Sequence, residues 1–103
     1  IGAAVAVSAY RIVQESLTNV IRHAGADATV RLEITHDSSE LTVIIDDDGR
    51  GVVGDEADRG GTGMTGMRER VAVLGGSLEA GGRPGGGFRV VARLPLQPVE
   101  VVR

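Results

Sequence analysis

Apolar residues recur along this chain with two different periods, and the changes from one period to the other divide it into elements. Over residues 8–24, Ile12, Val13, Leu17, Val20, Ile21 and Ala24 share one arc at helical spacing. Ser8 is suited to cap the start of that helix and Gly25 to let the chain leave it. Residues 29–35 then alternate, with Val30, Leu32 and Ile34 expected inward and Arg31, Glu33 and Thr35 outward. A turn over Asp37–Glu40 leads into a second strand at 41–46, where Leu41, Val43 and Ile45 share a face. Continuing that alternation puts Asp47 on the core side and leaves Asp46 and Asp48 facing solvent.

Residues 52–61 are polar and Gly-rich and are expected to form a mobile loop. Helical spacing returns at about Thr65–Leu74, with Met64, Met67, Val71 and Leu74 on one side and Gly75-Gly76 as the stop. Two last strands follow at 77–80 and 88–94, joined by the Gly-rich turn Gly81–Gly87, with Phe88, Val90, Ala92 and Leu94 on one face. The tail from Pro95 carries no pattern. The order helix, two strands, loop, helix, two strands predicts an α/β (α+β) two-layer sandwich: a mostly antiparallel sheet with helices on one face.

The 103 residues make one domain, with no internal repeat or internal boundary. Aromatics are 2% of the chain, Tyr10 and Phe88, so the core must be built from Val, Ile, Leu and Ala. A net charge of -3 without a basic stripe argues against a nucleic-acid binder. The absence of cysteine excludes disulfides and thiolate metal sites and suits a reducing, cytoplasmic setting. No apolar run approaches the ~20 residues that span a bilayer. All 11 basic side chains are Arg. Without Lys, neither a P-loop nor a eukaryotic-type protein kinase site can be built.

Three stretches carry chemistry. The first is Glu15-x-x-x-Asn19 with Arg22, aligned at i, i+4 and i+7 on the first helix. An amide oxygen at Asn19 is a hard ligand suited to magnesium. Glu15, one turn earlier, can orient a metal-bound water or accept a proton, and Arg22, one turn later, can meet a phosphate. An isolated E-x-x-x-N is usually a solvated helix face; here two Gly-rich motifs further along the chain give it weight. The second stretch is Asp47-Asp48-Gly49-Arg50-Gly51, whose alternate glycines allow a sharp turn and leave room for a flat ring. A core-facing Asp47 can accept a hydrogen bond from an amino group such as that of adenine, although an acidic hairpin turn reads the same way. The third is Gly61-Thr62-Gly63-Met64-Thr65-Gly66 opening the second helix, where backbone N–H groups and the helix dipole suit phosphates. Its G-x-G-x-x-G spacing does not signal a Rossmann site, because a polar loop rather than a strand precedes it. His23, on the border of the helix faces, is open to three readings: a phosphate contact, a phosphoacceptor or a structural histidine.

These stretches, with the surrounding wording RIVQE, HAGA and GMRERV, resemble the ATP-binding catalytic domain of bacterial two-component sensor histidine kinases, of the nitrate-sensor and thermosensor subgroup, over roughly residues 8–95. Residues 10–24 are similar to that family's N box, Asp47–Gly51 to its first glycine box and Gly61–Arg70 to its second. The resemblance implies the Bergerat fold shared with gyrase, Hsp90 and MutL. It further implies that Asp47 and the glycines at 49 and 51 hold adenine, that Asn19 ligates magnesium and that Gly61–Gly66 wrap the phosphates of ATP beneath a lid at 52–61. Arg22 and His23 would lie near the phosphates and Glu15 would serve as base or water-positioner.

The full kinase would carry phosphoacceptor and dimerisation helices and pass the phosphoryl group to a response regulator. The domain alone would be monomeric, make no membrane contact of its own and not phosphorylate itself. Two departures stand out. Phe88 occupies the position where the family often has Thr after Gly85-Gly86-Gly87, and the strand that usually precedes the first helix is not seen. Two alternatives share the fold: an anti-sigma-factor serine kinase, and a regulatory module that no longer uses a nucleotide.

Overall fold

The computed structural model describes residues 2–23, 25, 27–49 and 56–96. Its elements are α1 (Ala3–His23), β1 (Val30–His36), β2 (Glu40–Asp47), α2 (Glu56–Val73), β3 (Ser77–Gly82) and β4 (Phe88–Pro95). The strands form one open sheet in the order β1-β2-β4-β3, and each neighbouring pair is antiparallel. The expected two-layer sandwich is therefore the fold. Among the described residues no helix is long and apolar enough to cross a membrane.

Both hairpin ends follow from side-chain chemistry. At the β1–β2 turn, Asp37 Oδ1 accepts the Ser39 and Glu40 backbone N–H groups at 2.7 and 2.8 Å and the Ser39 hydroxyl at 3.0 Å. These donors, the Ser39 N–H first, hold the Asp37 carboxyl below its ordinary pKa. At the β3–β4 turn, Gly85, Gly86 and Gly87 all take positive φ, which side-chain-bearing residues rarely adopt.

The core lies between sheet and helices. Val43, Ile45, Val90, Ala92 and Leu94 from the sheet meet Ile12 of α1 and Met64, Met67 and Val71 of α2. The i, i+3, i+7 spacing of the last three residues gives α2 its buried face. α2 ends where expected: the Gly76 N–H reaches the Val71 carbonyl and the Gly75 N–H that of Ala72, both at 2.9 Å, with Gly75 at φ 85°. This is the Schellman arrangement that glycine permits.

Four expectations change. α1 begins at Ala3, so Ser8 lies inside the helix rather than capping it; the alanines at 3, 4 and 6 are strong helix formers. The face that α1 buries centres on Ile12, Ser16, Asn19 and Val20, while Leu17 and Ile21 remain 36% and 82% exposed. Leu32 and Ile34 are likewise not inward: they stand opposite Ile45 and Val43 in the register, yet are 45% and 54% exposed. The reason is position. α1 packs over β2 and β4 and α2 over β3, so the helix-facing side of the edge strand β1 extends beyond that cover. Finally, α2 begins at Glu56, nine residues before the expected Thr65, so helix replaces loop over 56–61, while 52–55 lie outside the described residues.

Candidate functional site

The second strand carries Asp47 to the helix-facing side of the sheet, in line with Leu41, Val43 and Ile45, and there it is 2% exposed. Its place is fixed from several directions. Asp47 Oδ1 accepts the Gly49 N–H at 3.0 Å, which turns the chain directly after the strand. The next residue, Asp48, is tied to the entrance of β1: its N–H donates to the Thr29 carbonyl at 3.2 Å and its Oδ1 accepts the Thr29 N–H at 2.6 Å. From the β3–β4 turn, Arg83 Nη1 donates to the Asp47 carbonyl at 3.1 Å. At Gly87 a side chain would overlap that same carbonyl oxygen, so only glycine fits there.

α1 supplies the second polar group. Asn19 is 5% exposed, and its Nδ2 has no hydrogen-bond partner among the described residues. Ser16 Oγ, one turn earlier and 2% exposed, is in the same condition. Burying such groups unpaired costs on the order of 1–3 kcal/mol each, so they are sites where a bound molecule or ordered water has something to gain. Glu15 is half-buried, Asn19 buried and Arg22 exposed, so of these three residues on one side of α1 the central one lies deepest. His23 closes α1; its side chain lies outside the described residues, as does Gly51.

The Gly-rich segment departs from its expectation. Gly61, Thr62, Gly63, Met64, Thr65 and Gly66 lie within α2 rather than before it. Backbone N–H groups that far inside a helix bond to carbonyls four residues back and cannot also serve phosphates. The expectation rested on the polar, Gly-rich composition of 52–61 and on helical spacing that resumes at about Thr65; each glycine inside a helix costs about 1 kcal/mol relative to alanine. What the pattern alone missed is the core anchor: Met64 is fully buried and Met67 7% exposed, and packing them extends the helix toward the chain's start. Gly66 is half-buried and Thr65 exposed.

Asp46 also corrects an expectation. It points to the other face of the sheet but is only 8% exposed, because Arg89 covers it. The pair is bidentate, Nε to Oδ1 at 2.6 Å and Nη2 to Oδ2 at 2.9 Å, across the register position where the two residues face each other. The Arg89 hydrogen bonds hold the Asp46 carboxyl below its ordinary pKa against the opposing effect of burial. Phe88 is 3% exposed and belongs to the core. An open groove of about 360 Å³ runs along α1 at Ala6, Val7, Tyr10, Arg11 and Gln14, but it contains none of the expected site residues.

Asp47, Asn19 and Glu15 supply oxygen donors on the inner surfaces of sheet and helix. Among the described residues there is no cluster of three or more His, Cys, Asp or Glu side chains that could enclose a metal. That donor set fits a magnesium ion taking one protein oxygen and completing its shell with phosphates and water.

Comparison with known proteins identifies the family and the fold. Residues 4–98 match the family model described as histidine kinase-, DNA gyrase B-, and HSP90-like ATPase. The sensor histidine kinase YxjM of Bacillus subtilis is 44% identical over 87 residues, 84% of this chain and 20% of that protein. The signal transduction histidine-protein kinase/phosphatase DegS of Brevibacillus brevis is 34% identical over 96 residues, 93% of this chain and 25% of that protein. Thus the chain spans a quarter or less of the length of these curated relatives. Among solved structures, the histidine kinase domain of the blue-light activated histidine kinase from Erythrobacter litoralis EL346 superposes with a TM-score of 0.76 at 31% identity, covering 93% of this chain and 46% of that one.

Proposed function

This chain belongs to the histidine kinase-, DNA gyrase B-, and HSP90-like ATPase family, and from that membership we propose that it binds ATP with magnesium and supplies the γ-phosphoryl group to a histidine of a parent sensor kinase. In this reading residues 1–103 form a single ATP-binding domain of a longer protein. The phosphoryl group then passes to an aspartate of a response regulator.

The observation that carries the proposal is Asp47: a carboxylate sealed on the helix-facing side of the sheet, with the main chain around it held by Thr29, Arg83 and Gly87. Asp47 accepts the adenine amino group, and the turn at Gly49 gives the ring room. The Asn19 amide turns its oxygen to the magnesium and its Nδ2 toward the phosphates, which would end its isolation. Magnesium, when bound, neutralises phosphate charge. Glu15 orients a water beside it, and Arg22 and His23 flank the phosphates at the end of α1. Such a domain works by positioning and charge neutralisation, the main demands of phosphoryl transfer.

For Gly61–Gly66 to wrap the phosphates, the first half of α2 must give up its helical bonds. Four glycines, at 60, 61, 63 and 66, keep that cost low. ATP with magnesium is therefore expected to reduce the helical signal in far-ultraviolet circular dichroism; an unchanged spectrum at saturation would remove these glycines from the phosphate site.

Calorimetric titration with a non-hydrolysable ATP analogue, with and without magnesium, tests the proposal. Saturable binding strengthened by magnesium is the expected result. No binding by a sample with a cooperative thermal melt would favour the regulatory-module reading, to which the apolar, buried Phe88 lends support.

A further inference from the structure

The grip of the β3–β4 turn on Asp47 has a consequence for base selectivity. Arg83 lies 36 residues further along the chain than Asp47, yet its Nη1 donates to the Asp47 main-chain carbonyl at 3.1 Å in a half-buried setting. The Arg83 backbone is itself fixed within the turn: its N–H donates to the Gly87 carbonyl at 2.9 Å and its carbonyl accepts the Gly86 N–H at 3.1 Å. Gly87 in turn abuts the same Asp47 carbonyl so closely that no Cβ fits between them. Guanidinium and glycine therefore hold one peptide group from the same turn, and fixing that peptide fixes the direction in which the Asp47 side chain leaves the strand.

We infer that Arg83 is a positioning residue that sets the preference for adenine over guanine by holding Asp47 in register. The inference rests on the proposed role of Asp47. A carboxylate oxygen accepts from the exocyclic amino group of adenine, whereas guanine presents a carbonyl oxygen, not a donor, at that same position. That discrimination is directional. A carboxylate free to swing meets the adenine amino group less well and turns from the guanine carbonyl more easily, so loosening it lowers ATP affinity more than GTP affinity. A purely structural loss would instead lower both alike.

The test measures dissociation constants for non-hydrolysable ATP and GTP analogues, with magnesium, on this chain and three variants. Arg83→Met keeps the apolar stem and removes the donors, Arg83→Lys restores a cationic donor, and Asp47→Ala controls for the underlying reading. Arg83→Met is expected to cut the ATP-to-GTP preference about three- to tenfold, the scale of one hydrogen bond, with Arg83→Lys recovering part of it. Exchange of the Gly49 amide, which is bonded to Asp47 Oδ1, should quicken in Arg83→Met; this reads the positioning even if overall affinity falls. An unchanged preference in Arg83→Met beside a reduced one in Asp47→Ala overturns the role of Arg83 alone. An unchanged preference in Asp47→Ala overturns the adenine contact and this inference with it.

Discussion

Asp46 and Asp47 are neighbours at the end of β2, both nearly sealed from solvent, at 8% and 2% exposure, on opposite faces of one sheet. Asp46 is answered in kind: both its oxygens are taken by Arg89 across the strand pair. Asp47 faces the helices, where its Oδ1 accepts the Gly49 N–H, and it stands opposite Phe88 in the strand register. Burial by itself therefore does not mark a functional carboxylate. The two are held differently: Asp46 by a bidentate ion pair across the strands, Asp47 by the Gly49 N–H at its carboxylate together with Arg83 at its main-chain carbonyl.

The largest effect that can break this contrast is expected at Asp47. Asp47→Ala should weaken binding of an ATP analogue about ten- to 150-fold, roughly 1.5–3 kcal/mol, the scale of a hydrogen bond to a charged group. Titration calorimetry reads it directly, and unchanged affinity would sink the adenine assignment. Gly87→Ala attacks the same carboxylate from behind. With φ at 96° and the Asp47 carbonyl in the way, the methyl group must displace the end of β2. Denaturant unfolding should show a loss of about 2 kcal/mol, as for side chains forced into the left-handed region against a fixed neighbour.

Asn19→Asp tests the other wall of the site. It replaces an amide with a carboxylate of the same size, so folding should persist while the magnesium dependence of nucleotide binding shifts. Identical magnesium titrations for the two proteins would count against Asn19 as a ligand.

Asp46 supplies the smallest effect and the sharpest control. Asp46→Asn should lower the melting temperature at neutral pH and leave nucleotide affinity as it was. Because the folded pKa of Asp46 lies below its unfolded value, its stabilisation is complete above the ordinary carboxylate range, about 4. It fades as pH falls from there through the lower folded value. In Asp46→Asn that part of the acid sensitivity should be missing from a series of melts. An equal acid dependence in both proteins would show that the Arg89 pair does not act through this titration.

The inward placement of Asp47 and the buried face of α2 were legible from local pattern because local rules set both. Period-two alternation through Leu41, Val43 and Ile45 is enough to turn Asp47 inward, and the seven-residue step from Met64 to Val71 is enough to face α2 to the core. The misreadings share a cause. Leu32 and Ile34 alternate as well as any buried pair, but alternation says only that two residues share a face, not that a helix covers it. Asp46 read as a solvent-facing charge because its partner, Arg89, is 43 residues away. Residues 52–61 read as a loop and Gly61–Gly66 as the opening of a helix because the cost of glycine in a helix is local, whereas the burial of Met64 and Met67 that offsets it is not.

The sequence by itself determined the elements, the inward carboxylate, the glycine stop after α2 and a combination of motifs specific enough to identify the family, since each depends on residues a few positions apart. Only the tertiary structure decided that β1 is an uncovered edge, that α2 runs back to Glu56 and that Arg83 and Gly87 grip Asp47. Those facts depend on which distant segments share a boundary, and chain separation conceals them until strands and helices have packed.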